Sequence, residues 1–242
     1  MRRALIKSMD RETYGNVLLK GTYIPGGPML PPSLDYAFDE LNKMNPDKYD
    51  VEAAKKLLAD AGWKDTDGDG FFDKDGKNLE LNFTFYSGRA ELQLFAEAVQ
   101  SDAKKVGIKV NLKNVDYNIL FDIGKKGEYD LLISNILTEQ AGDPEFFLNV
   151  YSLTNKVGNT PEYASGYSNP EYDALSEKLS GEFDPAKRRD IIIQMEKIMM
   201  NDAGTVVLGY PKTNLVSSKN IANANIYPCD YYWVTKDITP AK

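Results

Sequence analysis

The chain has 242 residues, of which 42% are hydrophobic and 27% are charged, and its formal net charge is −7. This composition allows a sizeable hydrophobic core, whereas the acidic balance argues against a nucleic-acid partner, because phosphate binding needs clustered Lys and Arg. The absence of histidine, with a single cysteine, excludes an internal disulfide and any Ser-His-Asp or Cys-His mechanism.

The first segment, residues 1–20, predicts an amphipathic helix, because apolar residues recur on one face. It lacks the apolar region and the small-residue cleavage site of a signal peptide, and a chain that begins within a helical pattern is expected to be part of a longer protein. Four prolines and three glycines in residues 21–32 then favour an ordered loop laid across a surface. A helix is predicted next, with Asp50 at its N-cap and Gly62 at its C-terminal cap.

The middle of the chain has the pattern of a β-α-β unit. Residues 79–85 alternate apolar and polar like a half-exposed strand, residues 92–106 have helical spacing, and residues 108–112 alternate again. Two strands joined by such a helix should be parallel. A short helix over 117–125 then leads to a strand over 129–136, whose apolar run indicates burial on both faces.

The C-terminal third predicts two helices, each with Pro at the first helical position, after Asn169 and Asp184. Strands are predicted over 205–210 and 213–218. The segment 226–234 is aromatic and irregular. The sequence contains no run of about 18 apolar residues, so it predicts no membrane-spanning helix.

An aspartate-rich stretch, DTDGDGFFDKDGK, lies between the Asp50 helix and the first strand of the β-α-β unit. Asp65, Asp67, Asp69 and Asp73 match positions 1, 3, 5 and 9 of an EF-hand calcium loop, but position 12, which needs a bidentate Glu, is Gly76. Aspartate and glycine are equally typical of tight turns. The stretch is therefore either a turn or a structural calcium site.

Several segments, in sequence order, resemble one protein family. They are RRALIKSMDRE, PGGPMLPP, DVEAAKKLLADAGW with DTDGDGFFDKDGK, EYDLLISN with GDPEFFLNVYS, and SNPEYDALSEKL with DPAKRRDIIIQMEKIMM. Together they are similar to the C-terminal part of the extracytoplasmic solute-binding proteins of peptide and nickel ABC importers. The closing segment, IYPCDYYWVTKDITPA, most resembles the nickel-type branch.

The resemblance implies an α/β lobe of the type II periplasmic-binding-protein kind, with a mixed sheet flanked by helices. Residues 1–242 would form a single C-terminal lobe, with the tail 219–242 packed toward the hinge. The first lobe and a signal peptide, often a lipoprotein one, would belong to a longer protein on the periplasmic or extracellular face of the cytoplasmic membrane.

The resemblance also places the ligand cleft at the loop after the predicted strand 129–136, which agrees with the position of ligands in open α/β sheets. Candidate ligand residues there are Asn135, Thr138, Glu139, Gln140 and Asp143. In peptide-binding members an acidic residue of this lobe pairs with the ligand's amino terminus, so Glu139 and Asp143 are the local candidates. Asp143 has an alternative role as the N-cap of a helix that begins at the following proline.

Further candidates lie toward the C-terminus. Lys156 would face an anionic chelate, or is an ordinary solvated lysine. The cluster Asp230, Tyr231, Tyr232 and Trp233 either walls the ligand or packs beneath the crossover between lobes. Because the chain has no histidine, nickel would arrive already chelated or bind through the other lobe.

These considerations predict a substrate-binding component that captures a nickel chelate or a di- or oligopeptide and delivers it to an ABC permease. No catalytic residue and no cofactor are expected, apart from the structural calcium considered above; nickel would be cargo. The alternatives are a calcium-binding extracellular structural module and a hydrolase that uses paired carboxylates.

Overall fold

The computed structural model describes residues 1–139, 142–152, 154, 166–226 and 234–241. The helices are α1 (Arg2–Ser8), α2 (Arg11–Thr13), α3 (Phe38–Met44), α4 (Val51–Asp60), α5 (Ala90–Lys104), α6 (Tyr117–Lys126), α7 (Glu145–Ser152), α8 (Pro170–Ser180) and α9 (Pro185–Asp202), and a π-helical turn spans Tyr14–Leu18. The strands are β1 (Tyr23–Pro25), β2 (Asp73–Lys74), β3 (Lys77–Asn78), β4 (Glu80–Tyr86), β5 (Lys109–Val115), β6 (Leu131–Leu132), β7 (Gly209–Pro211), β8 (Ile221–Ala222) and β9 (Thr239–Pro240).

The predicted α/β class and the β-α-β unit are confirmed. Strand β4 lies between β5 and β6 and is parallel to both. Helix α5 connects β4 to β5 and buries its apolar face against the sheet. Within the described residues this sheet is wholly parallel, and antiparallel pairing occurs in separate two-stranded ladders.

Two strand predictions need correction. The residues from Phe83 to Tyr86 are buried on both faces of β4, because Phe83 and Phe85 pack in the cluster that contains α5 residues and Tyr86 packs in the cluster that contains α6 residues. The strand predicted over 129–136 pairs only at Leu131 and Leu132, and these residues are half-buried. It is the short edge strand of the sheet, so the apolar run is covered less completely than predicted.

The predicted N-terminal helix is interrupted between α1 and α2. Asp10 ends the first helical run and caps the second by accepting the Thr13 N–H at 3.1 Å. Its own backbone N–H donates to Asp102 on α5 at 2.9 Å, and the Tyr14 hydroxyl donates to the same carboxylate. The break therefore depends on a carboxylate far along the chain.

The Gly/Pro-rich stretch is not confined to the surface. It includes β1, which pairs antiparallel with β7. Beyond β1 it buries Met29 and Leu30, which are 4% and 2% exposed. Glu196 on α9 accepts the N–H groups of these two residues.

The described residues pack into two larger apolar clusters. One surrounds the parallel sheet, α4, α5 and the N-terminal helices. The other lies among α7, α8 and α9 and includes Met29 and Leu30. Residues 131–136 run from the first cluster to the second, since Ile133 packs against the first and Ile136 against the second. Helix α6 covers a smaller cluster at one end of the sheet.

The cap predicted at Asp50 is confirmed, since its side chain accepts the Ala53 N–H at 2.9 Å. Proline occupies the first position of α8 and of α9, as predicted, and the preceding Asn169 and Asp184 accept N–H groups in the first turns of these helices. Of the strand predicted over 205–210, only the residues that belong to β7 are paired. The described residues 213–218, predicted as a further strand, form none; the next strand along the chain is β8, which pairs with β9. No helix in the described part of the chain is long and apolar enough to cross a membrane.

Candidate functional site

The carboxyl ends of β4, β5 and β6 lie at the same edge of the sheet, because the three strands are parallel. The exposed turn at Ser87 and Gly88 follows β4, Asp116 and α6 follow β5, and residues 133–139 follow β6. This edge therefore collects three loops and is the candidate ligand face.

Three aromatic rings lie at this edge. Tyr117, at the start of α6, forms edge-to-face pairs with Tyr86 and Phe121, with ring centroids 5.0 Å and 5.2 Å apart. Its side chain is 49% exposed. An exposed ring held by two others is suited to contact a ligand. The sequence interpretation missed Tyr117; its position directly after a parallel strand was the available signal.

The residues after β6 leave the edge in an extended segment. Asn135, Thr138 and Glu139 are half-buried, whereas Leu137 is 52% exposed. Gln140 lies outside the described residues. The structure thus brings three of the predicted ligand residues together beyond the end of an edge strand.

Glu139 lies in an acidic environment near Tyr36. Burial raises the pKa of Tyr36, and the negative charges of Asp143 and then Glu139 act in the same direction, whereas Arg188 opposes them. Negative charges and one positive charge therefore act on the Tyr36 hydroxyl.

Asp143 has partners for both of its carboxylate oxygens. Oδ1 accepts the Glu145 N–H at 2.8 Å, which confirms the predicted N-cap of α7. Oδ2 accepts from Nη2 and Nε of Arg188 at 2.8 and 3.2 Å. Of the two predicted acidic candidates, Asp143 is therefore committed to partners within the chain, and ligand binding by Glu139 stays a prediction.

The remaining predicted ligand residues, Lys156 and the cluster from Asp230 to Trp233, also lie outside the described residues. Their roles, and the packing of the tail 219–242 toward a hinge, stay predictions.

The aspartate-rich stretch forms turns. Asp65 accepts the N–H groups of Gly68 and Gly70 at 2.7 and 3.0 Å, and Asp73 accepts the N–H and hydroxyl of Thr66. Strands β2 and β3 then pair through a turn with positive φ at Asp75, as the turn interpretation expects.

Part of the predicted calcium set is brought together. Asp65, Asp67 and Asp73 each offer an oxygen within 4.8 Å of the others. Within the described residues Asp69 does not belong to this group, and its carboxylate accepts the Phe71 N–H at 2.8 Å. These oxygens are chemically suited to calcium, but the bidentate ligand of a complete loop is missing. Calcium binding stays a prediction.

Comparison with known proteins places this geometry in context. The sequence model of the bacterial extracellular solute-binding proteins, family 5 Middle, matches residues 1–159. The oligopeptide-binding protein AppA of Bacillus subtilis is 27% identical over 247 residues, which cover 98% of this chain and 44% of that protein. The nickel-binding protein NikA of Staphylococcus aureus is 24% identical over 236 residues, which cover 97% and 44%.

A solved structure agrees with the fold. The crystal structure of NikA from Brucella suis in complex with Fe(III)-EDTA matches 99% of this chain and 47% of that chain, with a TM-score of 0.80 and 21% identity. At this identity the likeness supports the fold alone. The chain spans about half the length of the relatives that it matches.

Proposed function

Because the chain belongs to the bacterial extracellular solute-binding proteins of family 5, we propose that it forms the C-terminal lobe of the substrate-binding component of an ABC importer. The complete two-lobed protein captures a small solute outside the cytoplasmic membrane, closes around it at a hinge, and delivers it to the permease. The cargo is a nickel chelate or a di- or oligopeptide; of the relatives, AppA is named for binding oligopeptides and NikA for binding nickel.

The observation that carries this proposal is the carboxyl edge of the parallel sheet. There the extended residues from Asn135 to Glu139 lie beyond β6, and the exposed ring of Tyr117 follows β5. One acidic group, one apolar side chain and one aromatic ring provide half of a ligand cleft. The opposing lobe would supply the other half and exclude water on closure.

The two cargoes make different demands on this lobe. A peptide needs an anionic partner for its ammonium group, and Glu139 is the residue we assign to it. A nickel ion favours imidazole ligands, and the chain contains no histidine. In the nickel case the metal therefore arrives in a chelate that this lobe contacts through polar and apolar side chains, or it is bound by the other lobe.

The family consists of solute-binding proteins and not of catalysts, and we propose that this chain performs no bond chemistry. Its complete form would be peripheral to the membrane, held as a lipoprotein. The ligand is cargo rather than a resident cofactor.

The test uses the complete two-lobed protein. Native mass spectrometry of the protein as purified should reveal a retained small molecule. Calorimetric titration with the Ni(L-His)2 complex and with a defined tripeptide should then give a saturable signal for one of them. Glu139→Gln should weaken tripeptide binding, whereas Glu171→Gln on the exposed face of α8 makes the same chemical change away from the site. If free Ni²⁺, nickel chelates and peptide mixtures all fail to bind, the proposal is wrong.

A further inference from the structure

Arg188, in the first turn of α9, has an acceptor for each of its five N–H groups. Nε and Nη2 donate to Asp143 at 3.2 and 2.8 Å, and Nη2 also donates to Glu145 at 2.8 Å. Nη1 donates to the backbone carbonyls of Leu179 and Glu182 at 2.7 and 2.8 Å. The side chain is 19% exposed, so these charge-assisted bonds are partly shielded from water.

These contacts join three pieces of chain. Asp143 ends the loop that leaves β6, Glu145 begins α7, and the carbonyls of Leu179 and Glu182 lie at the end of α8. The other end of the loop is held by Ile136, which packs against the apolar cluster of α7, α8 and α9. The loop that carries Glu139 is therefore held at Ile136 on one side and at Asp143 on the other, where Asp143 bonds both the Glu145 N–H and the Arg188 guanidinium.

The next residue along the helix has a different anchor. Arg189 donates from Nε to the Asp35 carbonyl at 2.8 Å and from Nη2 to the Asp35 carboxylate at 3.2 Å. It holds the segment before α3 and has no bond to Asp143 or Glu145 among those described. Arg189 is thus a natural control, since it has the same charge and lies on the same helical turn.

We propose that Arg188 is a positioning residue for ligand binding: it fixes Asp143, and through Asp143 the end of the loop, so that Glu139 is held at the carboxyl edge of the sheet. Arg188 itself does not contact the ligand. This inference rests on the proposed function and adds to it a residue that sequence reasoning did not single out.

The test compares Arg188→Gln, Arg188→Lys and Arg189→Gln in the complete protein. The first readout is hydrogen exchange of the backbone amides of residues 145–148 without ligand. The second is the dissociation constant for Ni(L-His)2 and for tri-alanine, measured well below the unfolding temperature of each variant.

Arg188→Gln should speed exchange of these amides and weaken binding of the effective probe, each by about tenfold or more, because a neutral amide cannot replace the charge-assisted bonds. Arg188→Lys should recover part of both effects, since an ammonium still pairs with Asp143 but cannot span to the two carbonyls. Arg189→Gln should leave both readouts near those of the parent.

Two results distinguish the possible failures. If Arg188→Gln lowers the unfolding temperature but leaves the affinity and the exchange unchanged, Arg188 is only structural and the inference is wrong. If the parent binds neither these two probes nor free Ni²⁺, other nickel chelates or peptide mixtures, the proposed function fails, and the exchange comparison alone decides whether Arg188 orders the junction of the loop with α7. Equal exchange in Arg188→Gln and Arg189→Gln would then overturn the inference as well.

Discussion

Glu196 of α9 should make the stability of this protein depend on pH. Its side chain is fully buried, and Oε2 accepts the Met29 N–H at 3.0 Å and the Leu30 N–H at 3.5 Å. Oε1 is buried and has no hydrogen-bond partner among the described residues. Burial raises the pKa of Glu196 from its ordinary value of 4.5 to about 7, although the two backbone N–H groups act to lower it.

The direction of the effect follows from the protons bound in each state. Between pH 4.5 and about 7 the folded protein keeps the Glu196 proton while the unfolded chain releases it, so the free energy of unfolding falls as pH rises. One unit of pKa corresponds to about 1.4 kcal/mol, so the loss from this group reaches about 3 kcal/mol above pH 7. Below pH 4.5 Glu196 is protonated in both states, and its contribution to the free energy of unfolding is fully present.

Glu196→Gln removes this titration while keeping an oxygen that can accept the Met29 N–H. Urea unfolding of the parent and the variant at pH 5, 6, 7 and 8.5 measures the difference in free energy of unfolding. The free energy of unfolding of the variant, relative to that of the parent, should rise by about 3 kcal/mol as the pH is raised across this range. Glu171→Gln provides the baseline, because that carboxylate is exposed on α8. A difference for Glu196→Gln that is constant with pH would refute the reasoning.

The remaining predictions concern the ligand, a glycine and the aspartate-rich stretch. If Glu139 pairs with a peptide ammonium, N-acetylation of the peptide and Glu139→Gln should each weaken binding. The two changes together should weaken it no more than either change alone. Additive losses of binding free energy, measured by calorimetry, would show that the two groups do not interact. Gly107→Ala should destabilise by about 2–4 kcal/mol in urea unfolding, because φ is +78° and the new Cβ would lie 2.3 Å from the Phe72 ring. Gly68→Ala, at a similar φ of +83° but without a neighbour within 4 Å in the described residues, should cost only about 1–2 kcal/mol, and equal losses would contradict the clash. The calcium hypothesis predicts that heat is released or absorbed when Ca²⁺ is titrated into chelator-treated protein, and that Asp67→Asn abolishes this heat. Weak extracellular sites bind calcium in the millimolar range, so the absence of heat at millimolar calcium would reject the hypothesis.

Local patterns were sufficient for the elements whose cause is local. The periodicity of α5, the cap at Asp50 and the prolines at the first positions of α8 and α9 were predicted correctly, because a cap or a first-turn proline requires only the residue and the next turn. The parallel pairing of β4 and β5 followed from the length of the helix between them.

Features that depend on distant partners were not predictable in this way. The break at Asp10 requires Asp102, and the burial of β4 on both faces requires the apolar clusters that contain residues of α5 and α6. At the candidate site the acidic loop was predicted, but the commitment of Asp143 to Arg188 was not, because no spacing rule links them. Tyr117 was missed although its position directly after β5 is a local feature, because the predicted ligand residues followed β6 alone, whereas three loops share this edge of the sheet.

The pairing of β1 with β7 has a consequence for how the chain is made. Ile24 lies opposite Tyr210, and Arg2 donates to the carbonyl of Ala203, so these residues meet their partners only after a much later part of the chain has been synthesised. Contacts of such long sequence separation form slowly. Until the segment at β7 leaves the ribosome, the apolar faces of the N-terminal helices lack part of their cover and are open to aggregation or to a chaperone.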